Sequence, residues 1–280
     1  MSQRLIPSLF LTLAFSSVDL AAQSTSWSTV TTPNAGIAQS IGTYTSGCVS
    51  GAKALPLNGD GYQVMRISRQ RYFGHPKLVA FIEQLGHQAS SAKLGTLLIG
   101  DLGQARGGPM VSGHRSHQTG LDVDIWFLLS EQANQRLLTD NERENWSAPS
   151  IVNMQAEIVD DRQWSLAHAH LLELAARHPD VDRVFVHASI KQALCQMKPA
   201  GANEWLRKIR PWWKHDDHFH VRLKCPDNNP NCARQEALPA GDGCDASLSW
   251  WFSAEAKLPS KAKPVPPPPL PAMCEAVLRE

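Results

Sequence analysis

Residues 112–127 read SGHRSHQTGLDVDIWF, and residues 212–225 read WWKHDDHFHVRLKC. Together they carry five of the 11 histidines. Within the first, residues 121–128 alternate Asp122, Asp124 and Trp126 with Val123, Ile125 and Phe127. Within the second, residues 218–223 alternate His218, His220 and Arg222 with Phe219, Val221 and Leu223. Alternation with a period of two predicts strands that turn one apolar face to a core. The other face of the second strand then carries two imidazoles that converge on one small volume. On the first strand Asp122 and Asp124 share a face. His117 lies just before it, across the turn-forming pair Thr119-Gly120, which can fold the imidazole back toward Asp124.

Two histidines, one carboxylate and an open position form the ligand set of a catalytic zinc site. Neutral imidazole with carboxylate suits zinc better than calcium or magnesium. The open position would hold a water that the metal makes more acidic. Taken singly, each residue has a plainer reading, because a histidine on a strand is usually structural and an Asp-x-Asp usually faces solvent. The joint pattern is the specific one: His-x6-Asp followed about 95 residues later by His-x-His. Trp212 and Trp213 fit the core or the wall of a substrate groove equally well.

Outward from these strands, apolar residues at helical spacing predict a helix over 76–88 and another over 164–178, the second stopped by Pro179. Residues 94–99 and 181–187 read as strands and 190–197 as a short helix. Residues 24–61 suggest loops and short strands, the Gly-rich run 103–113 a flexible loop, and 136–150 a polar surface insertion. Residues 259–271 are Pro-rich and predict an extended tail. There are no internal repeats. The fold class expected is α+β, a central antiparallel sheet flanked by helices and loops.

Formal net charge is +1, from 27 Lys and Arg against 26 Asp and Glu, so no basic footprint for nucleic acid is present. Arg4, an apolar stretch over 5–15 and the small residues Ala21 and Ala22 form the layout of a secretory signal peptide. The division expected is a cleaved leader over 1–22, one main domain over 23–258 that contains the candidate metal residues, and a Pro-rich tail over 259–280 held by Cys274. The leader's apolar run of about 11 residues falls short of the roughly 20 that span a bilayer, and no later segment reaches that length. The mature chain is therefore expected without a membrane span, in an oxidising compartment. There an even number of cysteines favours disulfides. Cys48, Cys195, Cys225, Cys232, Cys244 and Cys274 include no Cys-x-x-Cys pair, and spacing alone does not choose among their pairings, although Cys225 and Cys232 suit a local loop.

His117-x6-Asp124 with His218-Phe219-His220 resembles the zinc peptidase group of D-alanyl-D-alanine carboxypeptidases, lysostaphin-type endopeptidases and hedgehog-type domains. Within that group, GHRSHQTGLDVDIW (113–126), YFGHP (72–76), RPWW (210–213), HFHVRLKCP (218–226) and GDGC (241–244) resemble the murein endopeptidases that resist penicillin. The likeness spans nearly the whole mature chain. It implies a hedgehog/D-Ala-D-Ala peptidase-like fold and Zn2+ held by His117, Asp124 and His220. It also implies His218 as general base, with His215 as a second polarising imidazole nearby. The substrate implied is the D-alanyl–meso-diaminopimelyl cross-link of peptidoglycan in the Gram-negative periplasm. Disulfides Cys48–Cys274, Cys195–Cys244 and Cys225–Cys232 are implied as well. The family can bind a second metal through the histidine matching His114, but residues 150–163 here offer Asp160 and Asp161 and no histidine. His114 then lines the cleft. Arg115, Lys214 and Arg222 are candidates to orient substrate carboxylates. A homodimer is left open. The competing reading is a non-catalytic, zinc-stabilised module that binds peptidoglycan; the presence of both His215 and His218 favours the enzyme.

Overall fold

A computed structural model describes residues 26–111, 113–198, 201–258 and 268–280. The predicted leader, and the part of the Pro-rich run over 259–267, lie outside the described residues.

The strands are β1 (Gln39–Thr43), β2 (Ser46–Ser50), β3 (Lys53–Ala54), β4 (Asn58–Gly59), β5 (Tyr62–Val64), β6 (Phe73–Gly74), β7 (Leu97–Ile99), β8 (Asp122–Trp126), β9 (Val152–Asn153), β10 (Ile158–Val159), β11 (Val181–Val186), β12 (Ile209–Pro211) and β13 (His218–Leu223). Seven of them form one sheet in the order β12-β11-β13-β8-β7-β5-β4. The helices that matter here are α1 (Pro76–Ser91), α2 (Asp140–Asn145), α3 (Leu166–Arg177), α4 (Ala188–Met197) and α5 (Asn203–Lys208). Among the described residues no helix is long and apolar enough to cross a membrane.

The sheet is mixed, which corrects the expectation of an antiparallel one. Strands β11, β13, β8 and β7 run antiparallel to their neighbours, but β12 joins β11 and β5 joins β7 in parallel. The cause lies in the connections. A strand returns parallel when the chain crosses over through a helix. Helix α1 lies between β5 and β7, and α4 and α5 lie between β11 and β12.

Leu78, Phe81, Ile82 and Leu85 of α1 and Leu171, Leu172 and Ala175 of α3 pack in one core with Val123, Ile125, Phe219 and Val221. The two helices therefore cover the apolar side of β8 and β13, and the polar side is left for chemistry. Phe219 is fully buried, and truncating it to alanine would cost about 3–5 kcal/mol. Helix α1 starts where it does because Pro76 occupies its first turn and His75 Nδ1 accepts from Lys77 N at 3.1 Å.

Two predicted loops are more ordered than their composition suggests. In the Gly-rich run, residues 103–108 are buried. Gln104 Nε2 donates to Gly107 O, and Arg106 donates to Thr32 O, Val277 O and Leu278 O. The polar insertion folds into α2, whose Arg143 is buried and donates to Val64 O, Leu57 O and Gln63 Oε1. Glycine content and charge gave no warning of these backbone anchors.

All three implied disulfides are present: Cys48–Cys274, Cys195–Cys244 and Cys225–Cys232. The first ties β2 to a C-terminal helix, α6 (Met273–Arg279), across 226 residues. Closing so long a loop constrains the unfolded chain by roughly 5 kcal/mol in the chain-entropy picture. Ser46 Oγ also donates to Pro268 O, so the end of the tail is packed against the body.

Candidate active site

Strands β8 and β13 set Asp124 opposite His220, Asp122 opposite Arg222 and Trp126 opposite His218. All of the predicted polar residues on the two strands thus share one face. His117 arrives from a turn in which it adopts φ +71° and Gly120 φ +68°. A side chain at 120 would meet His75 N at 2.9 Å and Val49 Cβ at 3.2 Å, so this turn requires glycine. The positive φ of His117 is backbone strain held by the surrounding packing.

The ring of His117 is fully buried, and its Nδ1–H donates to Leu102 O at 2.7 Å. Its Nε2 is left bare, 3.5 Å from Asp124 Oδ1. Both of these atoms are buried with no hydrogen-bond partner. His220 repeats the arrangement. Its Nε2–H donates to Asp122 Oδ1 at 2.7 Å, and its Nδ1 lies 3.0 Å from Asp124 Oδ1. In a neutral ring that Nδ1 carries a lone pair. Three lone-pair atoms, His117 Nε2, His220 Nδ1 and Asp124 Oδ1, thus face one another, and the first and last are out of contact with water. Unsatisfied acceptors in such a place are costly unless something positive sits between them. The donor chemistry, two imidazoles and a carboxylate, fits a divalent transition metal.

His114 is brought to the same carboxylate. Its Nδ1 lies 3.3 Å from Asp124 Oδ2, and its Nε2–H donates to Asp101 Oδ2 at 3.0 Å. Donor atoms of His114, His117 and Asp124 lie within 4.8 Å of one another. The cluster therefore offers two overlapping triplets that share His117 and Asp124. The geometry groups His114 with the predicted ligands, where the sequence reading had it lining the cleft or serving a separate metal.

His218 stands at the open edge. Its Nδ1–H donates to Asp217 Oδ1 at 2.5 Å, and its Nε2 lies 3.8 Å from Asp124 Oδ1. Burial works against its charge, but Asp124 and Asp217 outweigh burial and raise its pKa to about 9. His215 lies beside it, tilted by 43°, with ring centroids 4.8 Å apart. Burial, and then the charge of His218, lower the His215 pKa to about 4. Its Nδ1–H is committed to Trp213 O at 2.7 Å, which leaves a neutral ring whose Nε2 accepts hydrogen bonds rather than donating them. His215 thus stands beside His218, at the place where the resemblance implies a second polarising imidazole.

The carboxylates behind the rings are the part that sequence reasoning missed. Asp122 is fully buried; burial opposes its charge, and Arg222 and His220 overcome that penalty and hold it well below the ordinary carboxylate range. Asp101 accepts from Arg69 at 3.1 Å and Arg71 at 2.9 Å, as well as from His114. Burial opposes the Asp101 charge too, yet its pKa falls to about 2. A signal existed for Asp122, which alternates onto the same strand face as Asp124. Asp217 adjoins His218 in the quoted run. Asp101 carried no signal beyond its place just after a predicted strand.

The candidate substrate-orienting residues divide. Arg222 is buried, donates to Asp122 Oδ1 at 2.6 Å and lies 3.6 Å from the Tyr44 ring centroid, so it braces the site and is not free for substrate. Arg115 and Lys214 are exposed. Trp212 and Trp213 are also exposed, which decides for a cleft wall over a core position.

Residues 40–279 match the family model described as penicillin-insensitive murein endopeptidase. A protein of that name from Salmonella paratyphi C is 46% identical over 267 residues, covering 95% of this chain and 94% of its own. Another from Haemophilus influenzae is 42% identical over 282 residues, covering 99% and 96%.

Proposed function

Since the chain belongs to the penicillin-insensitive murein endopeptidase family and is a murein-directed peptide hydrolase, we propose that it works as a zinc enzyme on the D-alanyl–meso-diaminopimelyl cross-link in the periplasm. One observation carries the metal reading: the bare, buried His117 Nε2 and Asp124 Oδ1, with His220 Nδ1 turned to the same point. His117, Asp124 and His220 would hold the ion, with His114 at its margin. Their outer nitrogens are already fixed on Leu102 O, Asp122 and Asp101, which sets each ring's tautomer and aim. The mixed sheet, with its polar face left open, is compatible with a hedgehog/D-Ala-D-Ala peptidase-like architecture. The three disulfides suit the oxidising periplasm.

When bound, zinc polarises the scissile carbonyl and makes a water acidic enough to attack it near neutral pH. The remaining work belongs to the chain. Asp217 fixes His218 so that Nε2 faces the cluster, where it takes the proton of the attacking water and returns it to the leaving amine. With Asp124 engaged on the metal, its pull on the His218 proton weakens, and His218 moves toward a value suited to proton exchange. His215, neutral and with a free Nε2, accepts a hydrogen bond at the edge of the site and excludes a second positive charge from the neighbourhood of His218. Water is the nucleophile, so no serine is presented for a β-lactam to acylate.

The test is incubation of purified protein with cross-linked muropeptide dimers, with and without a chelator. Chelator-sensitive conversion of dimers to monomers, restored by zinc, is the expected result. Conversion unaffected by the chelator would remove the metal from the mechanism. Bound zinc without conversion would favour the non-catalytic module.

A further inference from the structure

Beside His215 the surface opens into a cleft of about 370 Å3 that the chemistry above does not use. Trp212, Trp213 and Trp251 line it together with Phe252 and Lys214. Trp212 is 51% exposed and Trp213 45%, and the neighbouring Trp250 is 43% exposed. The rings form a continuous group. Trp251 lies 4.8 Å from Trp213, 6.3 Å from Trp212 and 5.5 Å from Trp250, centroid to centroid. A soluble domain that leaves a cluster of indoles in water usually has a ligand that covers them.

The cluster adjoins the catalytic residues. Trp213 O holds His215 Nδ1, and the Trp212 ring packs edge-on against Phe185 at 5.7 Å, which packs edge-on against His220 at 5.4 Å. A ligand seated on the tryptophans is therefore continuous with whatever lies at the metal cluster. The rim of the cleft is polar: Lys257 pairs with Glu157 at 2.7 Å, and Gln155 stands beside them. Flat apolar faces bordered by donors and acceptors match a pyranose, which has an apolar C–H face and hydroxyls around its edge. A bare peptide would not require such an aromatic floor.

We propose that this cleft is a saccharide site that seats the glycan strand of peptidoglycan while the cross-link attached to it reaches the metal cluster. The proposal rests on the murein endopeptidase reading and adds the part of the polymer that is held. Trp251 is its central ring, because it touches the other three.

The experiment uses two probes. The first is soluble glycan strands from which an amidase has removed every peptide; the second is a cross-linked peptide dimer carrying no sugar. The full-length protein is expected to bind the stripped strands, with quenching or a shift of tryptophan fluorescence. Trp251→Ala is expected to weaken that binding by roughly tenfold and to raise KM for intact sacculi similarly. Cleavage of the sugar-free dimer should change less than about twofold, and Trp251→Phe should recover most of the strand binding. Phe252→Ala, at a half-buried ring lining the same cleft, provides the same reading if Trp251→Ala does not fold. Failure of the unmodified protein to bind stripped strands, or unchanged binding in both variants, would overturn the proposal. Failure of the unmodified protein to cut the sugar-free dimer would count against the endopeptidase mechanism instead, and is scored separately.

Discussion

The site has a buried half and an open half, built from the same residue type. His117 and His220 have 0% and 6% of their side chains exposed, whereas His218 and His114 have 23% and 25%. In the buried half each outer nitrogen is tied to a carbonyl or carboxylate, and each inner nitrogen faces Asp124. In the open half His218 has the same outer tie, to Asp217, but its inner nitrogen lies at 3.8 Å and at the surface. In the proposed mechanism, depth separates the residues that hold the metal from the one that transfers the proton. A ligand needs a dry, fixed seat, whereas a base needs access to water and substrate.

That division predicts a graded set of losses. His117→Ala or His220→Ala, in the buried half, should abolish muropeptide cleavage to background, because each removes a first ligand. His218→Ala, in the open half, should lower kcat by about 100- to 10,000-fold, the usual worth of a general base. Full activity in any of these variants would erase the distinction.

Asp122→Asn acts on the buried half from behind. It keeps the shape and weakens the charge that orients His220, so zinc affinity should fall about 10- to 100-fold in competition with a chelator. It also leaves Arg222 without its charged partner, and chemical denaturation should show a loss of about 3–5 kcal/mol. Asp217→Asn is the counterpart in the open half. Asp217 raises the His218 pKa, so its loss should move the acid limb of the kcat profile to lower pH while zinc content stays constant. An unmoved limb would free His218 from Asp217.

The smallest effect lies outside the cleft. His168 is buried under the sheet, donates from Nε2 to Phe127 O and accepts at Nδ1 from Ser165 N. Burial lowers its pKa below the ordinary 6.5. As pH falls through 6.5 the unfolded chain takes up this proton before the folded chain does. Its contribution to stability is therefore intact above 6.5 and lost progressively below it, down to the folded value. Denaturation midpoints at pH 7.5 and pH 5.5 should fall less between the two in His168→Gln than in the parent, and an equal fall would acquit His168.

Much of the open face was legible in the sequence because a strand's period of two puts alternate residues on one side. The alternation at 121–128 and 218–223 located Asp124, His218 and His220, and Thr119-Gly120 placed His117. What was not legible depends on pairing across distance. The parallel edges of the sheet follow from crossovers through α1, α4 and α5, and local alternation does not report strand direction. Asp101 meets His114 only after residues 101 and 114 are folded across the Gly-rich loop, and that loop's burial comes from Arg106 reaching the last helix. The tautomer of His215 depends on a contact with Trp213 O in a turn where Lys214 and His215 take φ of +61° and +55°. No spacing rule reports such a contact.

The most direct test is the metal content of His218→Ala measured beside that of His220→Ala, both purified in zinc and dialysed alike. His218→Ala is expected to retain the zinc of the parent protein while losing its turnover, and His220→Ala to retain none. Loss of zinc from His218→Ala, or full zinc in His220→Ala, would contradict the assignment of holding to the buried half and proton transfer to the open one.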